Sequence, residues 1–226
     1  YRCGKKQKVY SDNFRKKHKV VNLFSGGLDS LIGAINQLRS SDDCVCLVSH
    51  TDSMFKGAKS DQEDILKVLR RKYRHNHYLP TRVDMEKHDV NGDKYHKETT
   101  LRSRSFLFLS MAVLVADSID KVMPVHIPEN GTISLNYPLT PSRRSTCSTR
   151  TTHPHFLQLM QNFLQSIGLN HCMVNDYQTC TKGEMVENCA DREMLLATYK
   201  YSCSCGKRGT RKDIRDDAHA SHCGVC

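Results

Sequence analysis

The stretch Val20-Val21-Asn22-Leu23-Phe24-Ser25-Gly26-Gly27-Leu28-Asp29-Ser30-Leu31-Ile32-Gly33 runs from an apolar strand through a double-glycine turn into an apolar helix start. Backbone N–H groups in the first turn of a helix lack intrahelical partners and carry the positive end of the helix dipole. A turn that lets a ligand approach closely at that point can therefore hold an anion. Ser25 ends the strand, Gly26 and Gly27 make the turn, and Asp29 and Ser30 open the helix after Leu28. This is the expected phosphate cradle. The Walker-type loop requires a lysine after its last glycine, and Leu28 and Asp29 stand there instead, so that loop is excluded.

Outward from the cradle, Leu28, Leu31, Ile32, Ile35 and Leu38 recur at helical spacing up to about Arg39, giving a first βα unit. Cys44-Val45-Cys46-Leu47-Val48 is the continuous apolar run expected of a strand buried on both faces. Ligands of a doubly wound sheet sit beyond the carboxyl ends of its strands, which puts Ser49 and His50 beside the cradle. His50 reads equally well as a ligand and as a structural loop histidine. A helix is expected over 61–73, whose basic end at Arg70, Arg71 and Lys72 suits a helix C-terminus. A third strand over 78–85 is interrupted by Pro80.

The segment 98–119 is the strongest helix in the sequence, with Arg102 and Arg104 in its first half and an almost wholly apolar remainder. A guanidinium keeps its charge and offers a planar fork of donors to phosphate. Residues two apart on a helix face different ways, so at most one of the pair readily points at the cradle. A strand follows at 121–125, then a long connection punctuated by proline and glycine. Such a connection is more often functional than filler. It offers Glu129, Asn130, Arg143 and Arg150 as substrate-binding candidates, with a flexible basic surface loop as the alternative. His153-Pro154 starts a further helix that ends before Gly168. Thr181 and Glu184 have capping-box spacing, and Lys182 at a helix start is disfavoured by the dipole, which argues for an anionic neighbour. Cys203, Cys205, Cys223 and Cys226 have spacing suited to tetrahedral zinc, with a redox pair as the rival.

Ser25-Gly26-Gly27-Leu28-Asp29-Ser30 resembles the PP-loop of the ATP pyrophosphatase superfamily, which cleaves ATP between its α- and β-phosphates. That resemblance implies a Rossmann-like α/β fold, a parallel sheet with helices on both faces. It also implies ATP and magnesium at Ser25, Gly26, Gly27, Leu28, Asp29 and Ser30, with the adenine and ribose near Ser49. Arg102-Ser103-Arg104-Ser105 before an apolar helix, Thr181-Lys182-Gly183-Glu184 and the terminal cysteines are similar to segments of 7-cyano-7-deazaguanine synthase (QueC) and its relatives. The connection after Pro128 is closer to the QueC-like proteins of anti-phage operons. It keeps only Tyr137-Pro138 of a segment the queuosine-pathway enzymes carry. The family pattern assigns Cys203, Cys223 and Cys226 to zinc; its last ligand falls beyond Cys226 or is replaced by Cys205 or His222.

A chain of 226 residues makes one large domain or one and a half, enough to bury a proper core. Its net charge of +10 favours polyanionic partners such as nucleotides or nucleic acid. No apolar run approaches the ~18 to 20 residues of a membrane span, and no signal peptide opens the chain. The 11 cysteines do not resemble a secreted disulfide framework. A cytoplasmic protein is expected, cut at both ends from something longer. The expected organisation is a basic segment over 1–19, a PP-loop domain over 20–200 and a zinc element over 201–226.

The resemblance implies an ATP-dependent ligase that adenylates a 7-deazaguanine-type carboxylate, with Asp29, Ser30, Arg102, Arg104 and Lys182 at the reaction centre. The amine acceptor is ammonia or belongs to a protein partner encoded in the same operon, and a homodimer is compatible with this reading. Two rivals remain. One is a PP-loop sulfur transferase on tRNA, resting on Cys147. The other is a basic, non-enzymatic zinc module that binds nucleic acid or a protein.

Overall fold

A computed structural model of the chain describes residues 18–51, 56–83, 91–94, 104–135 and 152–204, leaving out the side chains of residues 56, 57 and 104. The strands are β1 (His18–Leu23), β2 (Cys44–Thr51), β3 (Asn76–Arg82), β4 (Val125–His126) and β5 (Met173–Val174). The helices are α1 (Leu28–Arg39), α2 (Lys56–Lys72), α3 (Arg104–Ile119), α4 (Gly131–Ser134), α5 (Pro154–Ser166), α6 (Lys182–Glu187) and α7 (Arg192–Thr198), the last running into a short 3-10 turn. The strands form one parallel sheet in the order β3-β2-β1-β4-β5. Chain order reverses between β1 and β4, so the crevice at their carboxyl ends is the topological switch point.

Apolar alternation along β2 builds two cores. Val45 and Leu47 face Leu31, Ile35 and Leu38 of α1, Ile65 and Leu69 of α2, and Met185 and Leu195 of α6 and α7. Cys46 and Val48 face Leu109, Val113 and Ala116 of α3 and Leu157, Met160 and Leu164 of α5. Helices thus cover both faces, which is why β2 reads as an unbroken apolar run. Burial pushes the Cys46 thiol up to about 12, so it is a packing group.

Pro80 lies inside β3, opposite Ser49. Because β3 is an edge strand, the missing N–H is tolerated and the strand is not interrupted. β2 continues past Val48 to Thr51, so Ser49 and His50 belong to the strand itself. Asn22 Oδ1 lies 3.0 Å from His126 Nδ1, and His126 Nε2 lies 2.6 Å from Asp176 Oδ2, which pairs the buried polar groups between β1 and β4. Gly33 sets the closeness of α1 to the segment after β4, since a Cβ there would lie 2.3 Å from Pro128 Cβ. That approach brings Asp29, on α1, beside Glu129 and Asn130.

No helix among the described residues is long and apolar enough to cross a membrane.

Candidate functional site

The cradle stands at the carboxyl end of β1, with Gly26 at φ +88°, a left-handed conformation that only glycine adopts without strain. Gly27 is the N-cap of α1 and brings no side-chain hydrogen bond of its own. The cap comes from far along the chain: the Leu28 N–H donates to Ser204 Oγ at 3.0 Å, and the Cys203 N–H donates to Gly26 O at 3.0 Å. Ser30 Oγ donates to Gly27 O at 2.8 Å and lies 3.1 Å from Ser25 Oγ, so the two hydroxyls converge on the turn. An anion entering here competes with the Ser204 hydroxyl for the Leu28 amide. The exposed serine is free to yield.

Asp29 is 6% exposed and held from two sides. Its Oδ2 accepts from both the backbone and the side-chain amide of Asn130, and its Oδ1 lies 3.0 Å from Lys182 Nζ. Lys182 is the first residue of α6, and the anionic neighbour expected from its misplaced charge is Asp29. Thr181 and Glu184 form the capping box: the Thr181 N–H donates to Glu184 Oε2 at 2.7 Å, and the Glu184 N–H donates to Thr181 Oγ1 at 3.2 Å. Glu184 is therefore a structural cap, while Lys182 is free to reach into the crevice.

Glu129 completes this group. Its carboxyl is pushed up to about 8, first by burial and then by the charge of Asp29 and a hydrogen bond with it, against the pull of Lys182. Two carboxylates this close cannot both ionise without a compensating cation. Oxygen donors of this kind suit a hard divalent ion, so Asp29 and Glu129 fit the magnesium that the PP-loop resemblance implies.

Beside the cradle opens a cavity of about 200 Å³, whose walls include Ser25, Ser30, Ser49, His50, Phe108 and Glu129. The His50 and Phe108 rings lie with centroids 4.6 Å apart and planes tilted by 34°, and both line the cavity. The described walls enclose less than the ~300–1,000 Å³ of a typical ligand site. A hydrogen-bonded chain links this cavity to the cradle. Ser49 Oγ donates to Tyr78 Oη at 3.0 Å, Tyr78 Oη donates to Gln62 Oε1 at 2.8 Å, and Gln62 Nε2 donates to Ser25 O at 3.0 Å.

The structure thus brings Ser25, Gly26, Gly27, Leu28, Asp29, Ser30, Ser49, Glu129, Asn130 and Lys182 to one crevice, with Cys203 at its edge. Arg102, Arg143, Arg150, Cys205, Cys223 and Cys226 lie outside the described residues, as do Cys147 and the side chain of Arg104. Gln62, Tyr78 and Ser204 carry no motif and reach the site through tertiary packing alone. Comparison of the chain with protein-family models and with curated proteins gave no match.

Proposed function

We propose that this chain is an ATP-dependent, QueC-like ligase that cleaves ATP between its α- and β-phosphates to adenylate a carboxylate. The observation that carries this reading is the grip on Asp29. A cradle carboxylate at a topological switch point is held by Asn130 and Lys182 and faces Glu129. The site offers an anion-holding helix start on one side and a carboxylate pair on the other, as a nucleotide bound with a divalent cation requires.

The chain's own residues then have defined work. The amides of Gly27 and Leu28 and the dipole of α1 hold the phosphate that leaves. Ser25 and Ser30 donate to its oxygens, and Lys182 neutralises charge that develops between the α- and β-phosphates. Magnesium, when bound, supplies further neutralisation and would be held by Asp29 and Glu129. An oxygen of the substrate carboxylate bonds to the α-phosphorus, the bond to the β-phosphate oxygen breaks, and pyrophosphate leaves. An amine then attacks the acyl carbon of the adenylate and expels AMP. Positioning and charge stabilisation dominate such a reaction.

By the resemblance, the carboxylate is 7-carboxy-7-deazaguanine or a close analogue. The amine is ammonia or a group on a protein encoded in the same operon, in 7-deazaguanine metabolism or anti-phage defence. Zinc at Cys203, Cys223 and Cys226, with Cys205 in reserve, belongs to the same reading.

Mass spectrometry of products after incubation with ATP, 7-carboxy-7-deazaguanine and ammonia tests the proposal. An amide or nitrile product with AMP supports it. The double substitution Asp29→Ala, Ser30→Ala is expected to abolish pyrophosphate release while the far-ultraviolet circular dichroism stays native. Unchanged release by that variant would sink the mechanism.

A further inference from the structure

At the opposite edge of the sheet from the cradle, three metal-ligating side chains meet. β1, β2 and β3 run parallel and adjacent, so their first residues share one edge. His18 pairs in register with Cys44, and His77 is paired one step further along, with Cys46. A register irregularity between His18 and Val20 sets His18 opposite Cys44, and Cys44 and Cys46 share a face by the two-residue period. The result is a cluster in which one ligand atom each from His18, Cys44 and His77 lies within 4.8 Å of the other two.

One thiol and two imidazoles are a soft and borderline donor set, suited to zinc and unsuited to magnesium or calcium. His18 and Cys44 are 9% and 8% exposed and are fixed by strand pairing, while His77 is exposed. His18 Nε2 lies 2.6 Å from His77 Nδ1, and the rings are tilted by 46°. Two nitrogens on one tetrahedral zinc sit about 3.3 Å apart for Zn–N bonds of ~2.0–2.1 Å. Opening the present 2.6 Å to that spacing is a change of less than an ångström.

We infer that His18, Cys44 and His77 form a zinc site that ties the amino-terminal ends of three adjacent strands, with a fourth position outside this set. It is separate from the cysteine element near Cys203 and from the nucleotide crevice.

The test uses the full chain, loaded with zinc, dialysed and analysed by plasma mass spectrometry, alongside His77→Ala, Cys44→Ser and the surface control His155→Ala. His77→Ala is expected to lose one equivalent of zinc relative to the wild type. Titrated with zinc, it should bind that equivalent at least about 100-fold more weakly, the upper end of what loss of an outer partner alone produces. Cobalt loading should give a sulfur-to-cobalt charge-transfer band whose intensity falls in both His77→Ala and Cys44→Ser and not in His155→Ala. Circular dichroism checks the fold, and because His77 is exposed its variant remains a fair test if Cys44→Ser does not fold. Wild-type zinc content and an unchanged cobalt spectrum in His77→Ala would overturn the inference. Pyrophosphate release is expected to be the same in His77→Ala and wild type, so this result and that for the nucleotide site are read separately.

Discussion

Asp29 and Glu129 are two carboxyl groups that share one crevice. Glu129 ordinarily titrates at 4.5 and is pushed up to about 8 in the fold, chiefly by burial and then by Asp29. The unfolded chain therefore releases this proton at lower pH than the folded one. The stability contributed by the proton is whole below about pH 4.5 and is lost as pH rises towards 8. Glu129→Gln keeps a hydrogen-bond donor for Asp29 and does not titrate. In a chelating buffer its melting temperature should stay level across that window while the wild type falls, a gap of ~2–4 °C for each kcal/mol recovered. Parallel melting curves would show that the two carboxyl groups do not share a proton. Part of this site is legible in the sequence. Lys182 is flagged by a charge at the wrong end of a helix, and Glu129 and Asn130 by a polar connection too long to be filler. Gln62, Tyr78 and Ser204 are not, because nothing in the local sequence distinguishes them from other polar residues.

The elements that carry these groups are held by two close contacts. Gly33 lets α1 lie against Pro128, where a Cβ would approach to 2.3 Å. Gly33→Ala is expected to cost about 1–3 kcal/mol through overpacking, read by urea melts. Because Pro128 precedes Glu129, it should also weaken the coupling of Glu129 to Asp29. The second contact is Asp191, the N-cap of α7, which accepts from the Met194 N–H at 3.1 Å and from Lys72 Nζ at 2.6 Å, with the Tyr73 hydroxyl as a further donor. Burial opposes its charge, yet these donors win and hold its carboxyl down at about 2. Its stabilisation is present above the ordinary 3.8 and is lost as pH falls through about 2. Asp191→Ala should cost about 2–4 kcal/mol at neutral pH, adding a lost cap to a buried tyrosine hydroxyl left without its acceptor. A loss under about 0.5 kcal/mol would show that the α2–α7 contact does not depend on this residue. Long elements such as α1, β2 and α3 are legible because burial on one or both faces writes a periodic pattern. β4 and β5 span two residues each, too short for any period; β4 pairs with β1, and β5 pairs with β4.

Taken together, the parallel order β3-β2-β1-β4-β5 separates two kinds of chemistry at opposite ends of one sheet. Carboxyl ends gather the cradle, the carboxylate pair and Lys182; amino ends gather His18, Cys44 and His77. The first set announces itself because most of its residues lie in one contiguous loop. The second is silent in the sequence, since its members are separated by whole βα units and meet only through strand register. The chain's net charge of +10 favours polyanionic partners. The most direct test is the identity of the cleaved bond. Purified chain is incubated with magnesium, 7-carboxy-7-deazaguanine, ammonia and ATP labelled separately at the α- and γ-phosphates. Release of the α-label as AMP and of the γ-label as pyrophosphate is expected, both lost in Asp29→Ala, Ser30→Ala. ADP and inorganic phosphate as products, or no cleavage at all, would contradict an α,β-cleaving ATP site.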